Sequence, residues 1–480
     1  MLLELRLAGQ RATSVQAPDA ERAVTGRLPL SHEQRRLWFL NRLADGEAAY
    51  NVGAAYRFRG SLDEDALTRA FDTLLARHTI LRARFGEEGG TPHQTIAPEA
   101  RAAIDRSDFT AERTPALAAR AELAKWFCQE LSLTDGPLLR VRLDRLGADE
   151  HVLGLLVHHI VFDRASLALV AEEVSALYAE SLGVDAPARP APTQYEAYVF
   201  DQMAADHSLE GQLSFWRTQL AGAPGALELP YDRARPAHLS PEAGEVRVGL
   251  EADASSRIRE LARSERTTPF VVGLAALQAL LLKYDPTASA VTVGCPASGR
   301  DSERYAHTIG FFVRSLPIVL RRPTRPSTTL RELVSVAREA YLSSHDHQDV
   351  PFDELVRISG PPRQLGLNPL FQVWYDLAVA APGATERWSL PGIDVEQFES
   401  GQAMTRFDLE FHLHDDGDRL GCRLMFATAL FELETGARIA RHYQRILRSF
   451  AADPDVALTE VELLSSEERE TLVEKWSRAS

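Results

Sequence analysis

The chain has 480 residues, 45% hydrophobic and 25% charged, an ordinary globular composition that excludes a disordered or fibrous protein. Lys+Arg 53 against Asp+Glu 68 gives a net charge of −15, which argues against a general electrostatic grip on nucleic acid or an anionic membrane. At this length two or three lobes are expected rather than one core. The cysteines, Cys128, Cys295 and Cys422, are too few and too scattered for a disulfide framework, so a reducing, cytoplasmic setting is the expectation. The longest apolar stretch, 269–282, is broken by Gln278 and is too short to cross a bilayer, which takes about 20 residues. The first residues lack the cationic start and cleavage site of a signal peptide.

Residues 1–27 show little periodicity and read as a leader or linker. Ser31 is a good helix N-cap, with Glu33 and Gln34 near the third helical position as in a capping box. A helix follows over about 63–78, then a strand at 80–85 and a third helix over about 115–131. Leu138 to Leu143 alternates like a half-buried strand. Val152 to Val157 is continuously apolar, as expected of a strand buried on both faces. It runs into His158-His-Ile-Val-Phe-Asp163, followed by a helix over about 166–182.

The proline-rich segment 183–192 is the best internal boundary. A bridging helix is expected over about 193–222. Strands are then expected at 246–250, 290–294, 315–320, 371–375, 407–414 and 419–426. Helices are expected at 253–264, from Pro269 onward, and at 328–345 and 435–451. The second half thus repeats the mixed α/β character of the first, and two lobes with a cleft between them is the natural reading.

The sharpest local signal is His158-His159-x-x-x-Asp163. Adjacent side chains of a strand point to opposite faces, so one histidine is expected to anchor the turn and the other to reach the cleft. A cleft histidine can accept a proton from an attacking amine or steady an oxyanion. The bland reading is a pair of core histidines satisfied by backbone. Metal binding is disfavoured: the pairs His345/His347 and His412/His414 can share a strand face, but no third ligand is evident. No Walker loop, GxGxxG after a strand or GxSxG elbow occurs.

The His158–Asp163 run, with other segments in order, resembles the condensation domains of non-ribosomal peptide synthetases. Ser31 to Leu40 resembles that family's opening motif, Arg77 to Phe85 its second and Tyr195 to Phe200, more loosely, its fourth. Ile309 to Val313, His347 to Asp353 and Asn368 to Val373 resemble the fifth, sixth and seventh. The resemblance runs from about Leu28 to Glu474. It implies an α/β fold of two chloramphenicol-acetyltransferase-like lobes, a V-shaped pseudo-dimer with the active site in a tunnel between them. The implied lobes are 28–185 and 223–465, joined by a linker and bridging helix at 186–222, with 466–480 leading toward an adenylation domain.

The implied reaction joins a donor acyl or peptidyl thioester to the amine of an acceptor aminoacyl thioester. Both ride on 4'-phosphopantetheine arms of peptidyl carrier proteins, and the domain itself holds no cofactor or metal. His159 is implied as the catalytic residue, with His158 and Asp163 structural and Arg300 as a partner for Asp163. A monomer is expected of the excised domain. A starter-type domain that N-acylates the first amino acid, a free-standing acyltransferase using acyl-CoA, and a non-catalytic docking platform are the alternatives. The intact His158 argues against a heterocyclisation subtype, and the intact His159 against the X-type domains that recruit oxygenases. Two departures stand out: Arg164 replaces the family's glycine after Asp163, and Arg314-Ser315 replaces Asn-Thr. Both arginines are candidates for substrate gating; the alternative is that both turn outward and pair with acidic surface residues.

Overall fold

The computed structural model describes residues 26–43, 48–185, 189–205, 209–223, 225–360, 366–378, 388–401, 404–466 and 468–470. Most of the expected leader and of the C-terminal linker lies outside the described residues. Among the described residues, no single helix is long and apolar enough to cross a membrane.

The first half contains α1 (His32–Leu43), β1 (Asn51–Arg59), α2 (Glu64–Arg77), β2 (Ala83–Glu88), β3 (Thr91–Ile96) and β4 (Ile104–Asp108). It continues with α3 (Pro115–Phe127), β5 (Leu139–Gly147), β6 (Glu150–His158) and α4 (Arg164–Ser181). Two helices, α5 (Tyr195–Ala205) and α6 (Glu210–Leu220), follow the proline-rich boundary. The second half comprises β7 (Ala243–Gly249), α7 (Ala252–Ser264), α8 (Pro269–Tyr284), β8 (Ala290–Ser298), β9 (Val313–Arg321), α9 (Leu330–Asp346) and α10 (Phe352–Ser359). It ends with β10 (Val373–Ala378), β11 (Asp394–Gln397), β12 (Leu409–Asp415), β13 (Leu420–Ala427) and α11 (Leu433–Ala452).

Two main sheets each lie against their own apolar core, and the first sheet and core also take in residues of the second half, among them β11, Phe312 and Trp388. The first sheet has the order β11-β1-β6-β5-β4. Its central strand β6 is buried from His151 to His158, which explains the unbroken apolar run: both faces are covered. The second sheet has the order β7-β13-β12-β10-β8-β9. One face, including Tyr375, Phe411 and Leu424, packs under α8 and α11. The two-residue repeat sends Trp374, Asp376, Glu410 and His412 to the opposite face. Helix α8 is apolar all round because it is buried all round.

Several boundaries differ from the sequence expectation. Thr79–Arg82 is a 3₁₀ turn, and the strand expected at 80–85 begins only at Ala83. The helix expected to reach 131 ends at Phe127, capped by Cys128. The single bridging helix expected over 193–222 is two helices, α5 and α6. Strands β1, β3, β4 and β11 and helix α10 were not anticipated. The most consequential is β11, four residues from the second half that extend the first sheet by pairing with β1, Tyr56 opposite Gln397 through Arg59 opposite Asp394. The chain therefore crosses the division expected at 186–222 a second time.

The crossing depends on close backbone approach at the end of β1. Gly60 has φ +137°, and a side chain there would run into the carbonyl oxygen of Gly392. Gly60→Ala is expected to lower the unfolding free energy by about 1–3 kcal/mol, the range of one strained backbone position. Urea titration checks this, with Gly211→Ala, where no atom lies within 4 Å of the added carbon, expected to be neutral or slightly stabilising.

Candidate active site

The site is assembled from the end of β6 and the start of α4. Strand β6 stops at His158, and His159–Val161 form one 3₁₀ turn. Asp163 then caps α4, its Oδ1 accepting the Ser166 N–H at 2.8 Å. The two histidines diverge because one ends the strand and the other begins the turn. His158 is 1% exposed, and its Nδ1 accepts the Ile160 N–H at 3.1 Å. Helix α1 braces the turn from outside. Ser31 Oγ accepts the Gln34 N–H and Gln34 Oε1 the Ser31 N–H, both at 3.1 Å, a reciprocal cap. The Gln34 amide then donates to the Ile160 carbonyl at 3.2 Å.

His159 is half-buried, its ring centroid 4.5 Å from that of Phe311 in the second half. Its Nδ1 lies 2.5 Å from the Phe162 carbonyl oxygen. A carbonyl only accepts, so Nδ1 carries the proton and Nε2 presents a lone pair. Burial, helped by the nearby Arg406 cation and opposed by the Phe162 hydrogen bond, pushes this imidazole down to about 3. Burial, with His159 as a neighbour, pushes His158 down to about 3 as well. Both rings are neutral near pH 7.

The turn is tied to the second half through Asp163. Arg300 Nη2 donates to its two carboxylate oxygens at 3.0 and 3.2 Å. The backbone N–H of Phe312 reaches Oδ2 at 3.3 Å. Arg300 also donates to the Tyr305 and Thr308 carbonyls at 2.8 and 2.6 Å and to Ser166 Oγ at 3.0 Å. Its guanidinium lies 4.1 Å from the centroid of Phe312. Ser166 Oγ in turn accepts the Gly310 N–H at 3.1 Å.

The two arginine departures meet different fates. Arg314 faces Asp349 at 2.9 Å, Asp301 at 3.4 Å and Glu33 at 3.7 Å. Its charge is met by carboxylates of the chain itself. Arg164, at the first position of α4, is exposed, with no hydrogen bond or ion pair among the described residues. Gln34, expected only as part of a helix cap, also belongs here, as do Ser166, Phe311 and Arg406, which the sequence did not single out. Phe311 lies within a matched motif; Ser166 and Arg406 had no sequence signal.

The histidines weighed as metal ligands lie elsewhere. The His347 ring stacks on Phe215 at 3.8 Å. His412 sits between Asp376 (2.7 Å) and Glu410 (3.3 Å). Burial opposes its charge, but the two carboxylates outweigh it and raise His412 to about 9.

Comparison with known proteins places this geometry in context. The family model described as Condensation domain matches residues 24–473. Malpibaldin synthetase from Mortierella alpina is 34% identical over 456 residues, covering 94% of this chain and 8% of that protein. The chain thus spans less than a tenth of that relative. The X-domain from teicoplanin biosynthesis superposes with a TM-score of 0.83 at 30% identity, over 94% of this chain and 99% of that one. The first condensation domain of the calcium-dependent antibiotic synthetase, in complex with a substrate analogue, gives 0.76 at 22% identity, over 92% and 100%.

Removing Arg300 leaves a buried carboxylate unpaired, so Arg300→Met is expected to cost about 3–5 kcal/mol in denaturant unfolding. A second expectation concerns pH. Both motif histidines have folded pKa values of about 3, below the ordinary 6.5, so the unfolded chain binds more protons between these limits. Their contribution is intact above pH 6.5 and is lost as pH falls through it. The urea midpoint is expected to drop between pH 7.5 and 5, and the drop to shrink in His158→Gln.

Proposed function

The chain belongs to the condensation-domain family of non-ribosomal peptide synthetases, and from that membership we propose that it forms an amide between two carrier-bound thioesters. The acceptor amine attacks the donor thioester carbonyl; the C–N bond forms, the C–S bond breaks, and the departing thiolate takes up the proton released by nitrogen. The observation that carries this reading is the His159 tautomer. With Nδ1–H committed to the Phe162 carbonyl, Nε2 is a neutral acceptor that can hold the amine proton as the tetrahedral intermediate forms. A free amine already attacks thioesters, so holding both reactants at attack distance in a site shielded from water supplies much of the remaining acceleration.

The supporting residues have positioning roles in this scheme. His158 fixes the turn, while Asp163 and Arg300 hold it against the second half. Arg164 is the remaining gating candidate, because its charge is exposed and unpaired among the described residues. Donor and acceptor carrier proteins and an adenylation domain are the proposed partners, with phosphopantetheine arriving as part of the substrates.

A second reading is favoured by one observation, the 30% identity to an X-domain: a platform that docks carriers or other proteins without chemistry. The two readings part on one variant. His159→Ala is expected to lower single-turnover amide formation between loaded carriers by about 10²–10⁴-fold, the usual range for a general base, while carrier binding by calorimetry persists. Undiminished product with the variant in the intact synthetase would establish the docking reading instead.

A further inference from the structure

The ring that meets His159 belongs to the other half. Ile309, Phe311 and Phe312 lead into β9 of the second sheet, yet all three are buried in the first core. Three consecutive residues are tied there through their backbone. The Gly310 N–H donates to Ser166 Oγ on α4 at 3.1 Å. The Phe311 carbonyl accepts the Tyr195 hydroxyl of α5 at 2.5 Å, and the Phe312 N–H reaches Asp163 Oδ2 at 3.3 Å. A side chain at Gly310 would run into the Tyr195 ring. Phe312 fills the space behind, its centroid 5.0 Å from that of Tyr195 and 4.6 Å from that of Tyr198. So held, the buried Phe311 ring stands 4.5 Å from the His159 ring, centroid to centroid, at an interplanar angle of 53°.

A bulky apolar ring at that distance keeps water from one side of the imidazole, and desolvation disfavours the imidazolium. A π face attracts a cation, so the two effects of Phe311 oppose each other. Desolvation prevails: burial is the largest influence on His159 and takes it down to about 3. The charged groups around the turn are mostly engaged elsewhere. Asp163 is taken by Arg300 at 3.0 Å. On α1, Glu33 is taken by Gln202 at 3.1 Å and Arg314 at 3.7 Å, and Arg36 lies over the Phe352 ring. His158 is neutral. Arg406, before β12, adds to the effect of burial but is exposed to water, which screens it. No carboxylate pairs with His159 among the described residues.

We propose that Phe311 is a positioning residue for His159: it is a cover, carried by the second half, that keeps water from the imidazole, so that docking of the two halves holds the base neutral below pH 7. The inference rests on the amide-forming reading above and adds a residue to it. With the cover withdrawn, the ring returns toward the ordinary histidine value of about 6.5.

The test begins without catalysis. The whole chain is labelled with carbon-13 in its histidines, and the His159 signal is assigned by its loss in His159→Gln. Its chemical shift is then followed by NMR from about pH 8 to about pH 5, a range that brackets an ordinary histidine. The wild-type ring is expected to keep its neutral shift throughout. Phe311→Ala uncovers the ring and is expected to titrate with a midpoint of about 5.5–6.5. Phe311→Leu keeps an apolar cover without a π face and is expected to stay neutral. Should the alanine variant not fold, Phe311→Val, which leaves a smaller cavity, is expected to titrate in its place. A ring that stays neutral in every folded alanine or valine variant overturns the proposal. A wild-type ring that titrates inside the range does so too, as does a leucine variant that titrates alongside the alanine one.

Turnover then separates the cover from the reaction. In the ratio of variant to wild-type single-turnover rates, the titration of the acceptor amine cancels. For Phe311→Ala that ratio is expected to fall up to about tenfold between pH 7.5 and pH 5.5, the loss of neutral imidazole for a midpoint near 6.5. For Phe311→Leu it is expected to stay flat. A flat ratio in Phe311→Ala beside a shifted His159 midpoint refutes His159 as proton acceptor and leaves the cover standing. Absence of amide from the wild-type protein, with the same shifted midpoint, refutes the reaction and again leaves the cover standing.

Discussion

The ion pair between Asp163 and Arg300 is the constraint on which the site depends. Asp163 caps α4, holds Ser166, accepts the Phe312 backbone and binds Arg300. It thereby fixes the angle at which the chain leaves β6, and with it the direction of His159. Arg300 in turn organises its own loop through the carbonyls of Tyr305 and Thr308. Such a pair adds little net stability, because desolvating two charges offsets their attraction. Its contribution is geometric: only one relative placement of the two halves satisfies all these donors and acceptors. The same placement sets Phe311 against His159, so the orientation of the motif turn and the placement of the two halves are a single structural fact.

The electrostatics of the motif follow from that enclosure. A histidine placed where water is scarce is kept neutral by desolvation, and Arg406 reinforces the effect. The Phe162 carbonyl then decides which nitrogen is bare. Neutrality and tautomer have separate causes, one from burial and one from a backbone turn, and a proton acceptor needs both.

Much of the architecture was legible in the sequence where burial writes a pattern. The unbroken apolar run of β6, the proline start and all-round apolar surface of α8, and the Ser31–Gln34 cap were each read from local residue order. What escaped depends on partners remote in sequence. Strand β11 has four residues, largely polar, and exists because β1 offers it a backbone edge; no periodicity survives in so short a segment. The break between α5 and α6 likewise left no trace in an otherwise helical composition. Within the site, the motif order exposed the histidines and the Asp163–Arg300 segments. Arg406 comes from a loop 247 residues further on than His159, and only folding reveals that it faces the motif.

Arg164 and Arg314 show why a substituted residue cannot be interpreted from its identity alone. Each puts a cation where the family resemblance expects a small or neutral residue. Arg314 lies within reach of three carboxylates from α1, the loop after β8 and the approach to α10. Together they hold its proton more tightly than usual despite burial, so the charge serves as an interlobe clasp. Arg164 heads α4, where the helix dipole disfavours a cation, and no carboxylate among the described residues compensates it. Exposed to solvent, its charge is met by water rather than by the chain's described carboxylates. The difference between the two arginines lies in the carboxylates within four ångströms, and that is a property of the assembled halves.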